Sequence, residues 1–280
     1  MIGSPVISRQ IGNFSVIALS DGNMAASLEL LSGIKLADAS EIQRAAGIAD
    51  AGNIHINCYL IRGQGQTVLV DCGTGGLNNS GGMLSESLHA LGISPEDIDT
   101  ILLTHAHPDH IGGLLDADGC PVYKGAELYL HPLEAEYWQA DATLEQVNER
   151  WKRNSVLVRR TLEAYTDKLH FLDENEVLEG IRPVWLPGHT PGHTGFRIDS
   201  EGKSLLIWGD IVHYPYVQAA NPEVSIAFDC DPEQAEETRK KILAQAVSEN
   251  LLIAGMHFGK PGFAHILTDS QGYRIEYIQG

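Results

Sequence analysis

The stretch LLTHAHPDHIGG, residues 102 to 113, places four potential metal ligands, His105, His107, Asp109 and His110, within six positions directly after the apolar run DTILLT. In an extended segment the side chains at i and i+2 point the same way, so His105 and His107 can grip one ion from the end of a strand. Pro108 biases His107 toward extended geometry and away from helix. Asp109 and His110 follow where the chain turns, so they can face another direction and serve a second ion, while Gly112 and Gly113 let a neighbouring backbone come close. The stretch reads as half of a two-metal cage. Half a cage constrains the whole fold, because the missing ligands are expected at the carboxyl ends of other strands in an α/β architecture.

Three later segments meet that demand. WLPGHTPGHTG puts His189 and His193 in a Pro/Gly loop after an apolar run, LLIWGDIVH ends a run at Asp210, and LLIAGMHFG ends one at His257. A carboxylate has two oxygens and can bridge two cations, which makes Asp210 the natural shared ligand. One loop histidine, Asp210 and His257 complete a set of five His and two Asp. Burying that many ionisable groups without a cation would leave several unpaired, so a purely structural role explains the set poorly. By contrast, His55, His89, His131, His170 and His265 read as surface or satisfied core histidines, and Trp138, Trp151 and Trp185 as packing. Two divalent ions can lower the pKa of a shared water toward neutrality while one of them polarises a carbonyl or phosphoryl oxygen. Hydrolysis is the economical inference. No G-x-S-x-G elbow supports a serine hydrolase, and DCGTGG at Asp71 to Gly76 lacks the lysine and spacing of a phosphate-binding loop.

Apolar segments alternate with helical patterns over 280 residues without a linker, and 43% hydrophobic content is enough for one large α/β domain spanning 1–280. NCYLIRGQGQTVLVDCG reads as a hairpin turning at Gly63, Gln64 and Gly65. MLSESLHALG is a short helix stopped by Gly92, and SPED begins another, capped by Ser94. From Thr143 to about Leu169 the pattern is helical, with Val147, Trp151, Val158 and Leu162 on one side. RPVWLP, SLLIWG and LLIAGM have strand length, and Asp231 caps a helix facing inward through Ala235, Ile242, Leu243 and Val247. Within the N-terminal lead, residues 1–50, Met24, Leu28, Leu30 and Leu31 suit the core. The formal charge of −18, from 19 basic and 37 acidic residues, repels phosphate backbones and anionic lipid, which disfavours nucleic acid and membrane as partners. Cys58, Cys72, Cys120 and Cys230 form no C-x-x-C pair and read as reduced, mostly core thiols. No signal-peptide pattern and no membrane-length apolar run is visible, so cytoplasm is the expected location.

The ordered set HAHPDH, GHTPGH, GD and GMH resembles the metallo-β-lactamase superfamily of binuclear hydrolases, from roughly Asn57 to the C-terminus. The resemblance implies a four-layer αββα sandwich: two mixed β-sheets face to face, helices on the outer faces, metals at one rim. The segments themselves fit a single-sheet α/β fold equally well. It assigns His105, His107 and His193 to a first metal, Asp109, His110 and His257 to a second, and Asp210 to the bridge, leaving His189 as loop support. Zn2+ is the cofactor it implies first, with Mn2+, Co2+ or Fe2+ also compatible with these donors. Asp210 stands where class B1 β-lactamases carry cysteine, and only 23 residues follow His257, too few for a glyoxalase II-like tail. His107 stands where the diiron flavoproteins usually have glutamate, and the acidic charge disfavours the RNA-processing members.

What remains is the branch of acyl-homoserine lactone lactonases and methyl parathion hydrolase; WGDIVHYPYVQAANPEVSIAFD and GMHFGKPGFAHI resemble the latter in particular. The implied enzyme is a metal-dependent hydrolase, a lactonase or esterase in which a metal-bridging hydroxide attacks the carbonyl of a small substrate. Promiscuous organophosphate triesterase activity and a homodimer are implied with it, and for Met24, Leu28, Leu30 and Leu31 of the N-terminal lead the resemblance implies a lid or dimer contact instead of the core. Asp109 and Asp210 would then be catalytic as well as metal-holding. Lactonases of this branch often place a tyrosine three residues after the bridging aspartate, where this chain has His213 with Tyr214 beside it. Both become candidate substrate contacts, His213 a candidate catalytic group also, and quorum-quenching lactone cleavage is joined by aryl esters and aromatic lactones. Neutral or weakly charged substrates suit so acidic a chain. An iron-binding redox protein on the same scaffold and a metal-binding protein without turnover are the alternatives.

Overall fold

A computed structural model describes residues 7–140, 148–270 and 272–278. Seven strands form one sheet in the order β1 (Ser8–Ile11), β2 (Phe14–Ala25), β4 (Asn53–Gly63), β5 (Gln66–Val70), β6 (Thr100–Leu102), β7 (Glu127–Leu130) and β8 (Leu169–Phe171). The short β3 (Leu31–Ser32) pairs instead with β12 (Ser225–Ile226). Six strands form the other sheet in the order β15 (Gly272–Tyr277), β14 (Phe263–Asp269), β13 (Leu252–Ala254), β11 (Lys203–Ile207), β10 (Thr194–Ser200) and β9 (Ile181–Trp185). Both sheets are mixed: β5 through β8 run parallel after an antiparallel start, and β11 pairs β13 in parallel within an otherwise antiparallel set.

The period-2 alternation of strand side chains decides the layering. In β4, Tyr59 and Ile61 enter the core shared between the sheets, while Cys58 and Leu60 face the opposite side. Leu205 and Ile207 of β11 share that inter-sheet core, and Leu206 between them packs outward. Because both faces of these strands are covered, they read as unbroken apolar runs. The outer face of the first sheet is covered by α2 (Leu84–Ala90), α4 (Pro132–Gln139) and α5 (Glu149–Ala164), through Leu84, Leu88, Trp138, Trp151, Val158 and Leu162. The outer face of the second is covered by α7 (Pro232–Ser248), through Ile242, Leu243 and Ala246. The result is the αββα order. The three remaining helices are α1 (Leu36–Ala45), α3 (Pro108–Ile111) and α6 (Pro215–Ala220).

Local expectations fare unevenly. The β4–β5 hairpin turns at Gln64 and Gly65, both with positive φ (54° and 77°), as a two-residue turn joining right-twisted strands requires. Asp231 caps α7, accepting from the Gln234 N–H at 3.0 Å. SPED makes only a 3-10 turn, Pro95–Asp97: the Asp99 carboxylate accepts from Thr67 N at 2.8 Å and draws the chain straight into β6. The long helix runs Glu149–Ala164, capped by Asn148 at 2.8 Å from the Trp151 N, and ends before Leu169, which opens β8. Val147 and the rest of 143–147 lie outside the described residues. Two cysteines, Cys58 and Cys72, are core; Cys120 and Cys230 are exposed. Met24, Leu28, Leu30 and Leu31 pack against Ile54, Val217, Val224 and Ile226 of the same chain. Among the described residues no helix is long and apolar enough to cross a membrane.

Candidate metal centre

Strand β6 delivers the chain to His105, and the bend that follows is fastened from behind. Thr104 donates its N–H and its hydroxyl to the Asp71 carboxylate, at 2.8 and 2.7 Å. His107 is extended (φ −72°, ψ 157°), as the following proline demands, and Pro108 opens α3, which swings Asp109 and His110 away from the His105–His107 pair. A Cβ on Gly112 or Gly113 would lie 2.1 Å from the carbonyl oxygens of Thr74 or Cys72, so these two glycines admit the DCGTGG backbone against α3. The second sheet sends three further segments to the same rim: the loop after β9 with His189 and His193, the end of β11 with Asp210, and the end of β13 with His257.

The donors converge in three groups, the third of which, His189, Asp210 and His213, shares one residue with each of the other two. His107 Nδ1 lies 2.9 Å from His105 Nε2 and 3.0 Å from His189 Nε2. Asp210 Oδ2 lies 3.8, 3.3, 3.4, 3.2 and 3.3 Å from the Nε2 atoms of His105, His110, His189, His213 and His257. Asp109 Oδ2 stands 3.4 Å from His110 Nε2 and 3.9 Å from His257 Nε2. Ligand atoms of His105, His107 and His189 lie within 4.8 Å of one another, and so do those of Asp109, His110, Asp210 and His257. Ring protons cannot satisfy three imidazole nitrogens pointing at one spot, whereas a divalent cation accepts three lone pairs there. Asp210 Oδ1 and His110 Nε2 are likewise buried without a hydrogen-bond partner among the described residues. The side chains fit divalent cations.

Three of the inward nitrogens are aimed by what their rings do on the other side. His110 Nδ1 donates to Asp71 Oδ2 at 2.6 Å, His189 Nδ1 to Asp229 Oδ1 at 2.8 Å, and His257 Nδ1 to the His55 carbonyl at 2.7 Å. Asp229 in turn sits 3.5 Å from the guanidinium of Arg239, which donates to the carbonyls of Ile211, Pro222 and Val224, each at 2.8 Å. Glu134 accepts from the N–H groups of Ala106 (3.0 Å) and Gly192 (3.1 Å), so one carboxylate ties the HAHPDH and GHTPGH loops together. Burial holds His105 and His107 well below the ordinary imidazole value, which keeps both neutral and able to donate lone pairs. Burial works the same way on His110, but Asp210, Asp109 and Asp71 outweigh it and raise that pKa. Burial would raise the Asp210 carboxyl; His110, His257 and His213 overcome it and hold it well below the carboxylate range.

Two of the expected site residues, His193 and Tyr214, present no free donor atom to this cluster. His193 is buried beside the centre but has no nitrogen to spare: Nδ1 donates to the Leu186 carbonyl at 2.8 Å and Nε2 accepts the Asp210 N–H at 2.9 Å. His189, expected to be loop support, points its Nε2 into the donor group in its place. His213 reaches the centre, stacked on His257 with ring centroids 5.0 Å apart, and its Nδ1 is buried without a partner among the described residues. Tyr214 does not reach it; the hydroxyl donates to the Ala26 carbonyl at 2.6 Å and anchors the N-terminal segment. Sequence reasoning missed Asp71, Asp229, Glu134 and Arg239. The one signal available was Asp71, a carboxylate closing an otherwise apolar strand end.

Beside the cluster lies a cavity of about 240 Å³ walled by Met24, Leu77, Arg150, Arg153, Asn154 and Phe228, with His107, Asp109, Asp210 and His213 at its floor. Comparison with known proteins agrees with this layout: the family model described as "Metallo-beta-lactamase superfamily" matches residues 51–257. The chain belongs to the metallo-β-lactamase superfamily. Its two mixed sheets with helices outside are the superfamily fold, and it is accordingly a metal-dependent hydrolase. The crystal structure of the hydrolase AbOPH, of the β-lactamase superfamily, superposes with a TM-score of 0.93 at 28% identity, covering 100% of this chain and 99% of that one. AidC, a dizinc quorum-quenching lactonase in complex with a homoserine product, superposes with a TM-score of 0.91 at 26% identity, covering 99% and 98%. Among curated sequences, the N-acyl homoserine lactonase AiiA of Bacillus thuringiensis subsp. kurstaki is 23% identical over 249 residues, 81% of this chain and 88% of that one.

Proposed function

We propose that this hydrolase opens a small lactone or ester at a two-cation centre, with organophosphate triesters as secondary substrates. His105, His107 and His189 would hold one cation, Asp109, His110 and His257 the other, and Asp210 both. The observation that carries the reading is the position of Asp210 Oδ2, at 3.2 to 3.8 Å from imidazole nitrogens brought in by both sheets. Bound divalent cations supply Lewis acidity, acidifying water toward neutral pH and polarising a carbonyl or phosphoryl oxygen.

The chain supplies the rest. Asp109, its side chain 13% exposed at the cavity floor, takes the proton released as water adds to the carbonyl. His213 turns Nε2 toward Asp210 and keeps Nδ1 without a protein partner among the described residues; that nitrogen would donate a hydrogen bond to the carbonyl or leaving-group oxygen, where branch relatives often use tyrosine. Met24, Leu77 and Phe228 give the cavity an apolar rim that receives the acyl or aryl portion and excludes water. That AidC and AiiA are lactonases supports a lactone or ester, and the dizinc state of AidC supports zinc.

The test pairs metal analysis of the purified protein with a panel of homoserine lactones, dihydrocoumarin, aryl acetates and methyl parathion. Turnover of at least one lactone or ester, with about two zinc per chain, and loss of all rates in Asp210→Ala is the expected result. Iron with a coloured spectrum and no turnover would overturn it.

A further inference from the structure

The helix that walls the cavity breaks a local rule. Cations are unfavourable in the first turns of a helix, where the macrodipole is positive, yet α5 opens Glu149, Arg150, Trp151, Lys152, Arg153. Lys152 is offset by Glu149 at 2.7 Å. Arg150 and Arg153 have no carboxylate within ion-pair distance among the described residues, in a chain with 37 acidic side chains against 19 basic. Both line the 240 Å³ cavity whose floor is the Asp109–Asp210–His213 edge of the centre. Arg150 is also held in place: its guanidinium lies 4.1 Å from the centroid of the Phe228 ring, and Nη1 reaches the Ala227 carbonyl at 3.5 Å. Burial works against the charge of that group, so leaving it unpaired at the mouth has a cost. Asp109, the acidic group facing Arg150 across the cavity, is committed to the centre.

We propose that Arg150 and Arg153 bind an anionic group, a carboxylate in the first instance, carried by the substrate away from its scissile bond. The substrate is then a monoanionic ester or lactone, in spite of the charge of the whole chain. The apolar rim takes the linking carbons, the arginines fix the far end, and the reacting carbonyl is left over Asp210 and His213. Arginine suits this task, since its planar fork matches a carboxylate in two-point contact.

The proposal rests on the lactone or ester reading, so its test has two arms. In the first, zinc-loaded enzyme is given mono-4-nitrophenyl succinate and 4-nitrophenyl butyrate, esters of like length that differ in one terminal charge. The expected kcat/KM ratio favours the succinate by about tenfold, through KM, as one charge-assisted contact would produce. The ratio falls to about one in Arg153→Gln and in the Arg150→Gln/Arg153→Gln double variant, inverts in Arg153→Glu, and is partly kept in Arg153→Lys. A ratio near one in the wild type, or an unchanged ratio in the double variant, overturns the proposal. In the second arm, calorimetry compares succinanilic acid with butyranilide, neither of which carries an ester. Tighter binding of the anion by wild type, lost in the double variant, upholds the arginine site even if both esters resist cleavage; equal binding by the two proteins overturns it. Failure of every ester with retained anion binding sinks the ester reading alone.

Discussion

At the scale of single residues, the proposed two-cation reading tells ligands from supports in the GHTPGH loop by what each imidazole does with its second nitrogen. His189 spends Nδ1 on Asp229 and keeps Nε2 for the centre, whereas His193 spends both, on the Leu186 carbonyl and the Asp210 N–H. His189→Ala should therefore drop tightly held metal to about one ion per chain, while His193→Ala keeps both sites at roughly 10- to 100-fold weaker affinity, the usual effect of losing an outer partner. Elemental analysis after gel filtration, with a competing chelating dye, separates the two; the reverse pattern would restore His193 as the ligand. Asp71→Asn belongs to the same class. It weakens the hold on the His110 ring and should cost about 10- to 100-fold in affinity for the second cation, read by the same titration. HAHPDH was legible because i, i+2 spacing and a following proline determine directions within one short segment. GHTPGH was not, because both its histidines follow a glycine in the same kind of loop, and only the arrival of the Asp210 N–H from β11 decides which ring stays free.

Elements explain what the motif cannot. The hairpin, the strand before His105 and the α7 cap could be read from local chemistry, but the division of the strands between two sheets could not. A strand covered on both faces shows the same apolar run whether its neighbours are helices or a second sheet, as Ile101 to Leu103 and Leu205 to Ile207 do. Nor does periodicity reveal Arg239, a charged residue on the buried face of α7 at 1% exposure. From there it binds three carbonyls along the segments after β11 and stands against Asp229, the partner of His189. The helix thus orders one wall of the centre without touching a ligand. Arg239→Met would strand the Asp229 charge and three carbonyls, and removing one member of such a buried pair costs about 3–5 kcal/mol. Urea unfolding of the metal-free variant should show that loss; a change below about 1 kcal/mol would mean that water replaces the guanidinium at little cost.

On the scale of the whole molecule, the two sheets contribute unequal kinds of contact to their shared rim. The first supplies His105, His107, Asp109 and His110 from one bend, and the second supplies His189, Asp210 and His257 from three separate strand ends. Cations bound there would join the sheets opposite the apolar core that already holds them, in which Ile61, Val70, Leu102, Phe196 and Ile207 are buried at 0 or 1% exposure. Because that core does not depend on metal, the stripped protein should remain folded, unlike small domains whose only core is a zinc site. Because ligands converge from both sheets, it should be less stable. Binding to the native state alone adds RT ln(1 + [L]/Kd), about 4 kcal/mol for a site at a thousandfold excess of free cation over Kd. Chelation should therefore lower the urea midpoint while keeping a cooperative transition, and added zinc should restore it. Asp210→Ala, lacking the proposed shared ligand, should start near the stripped midpoint and gain little from zinc. If the wild-type midpoint were indifferent to chelation, the converging imidazoles would be satisfied by one another, and the case for a cation centre on this rim would fail together with the chemistry built on it.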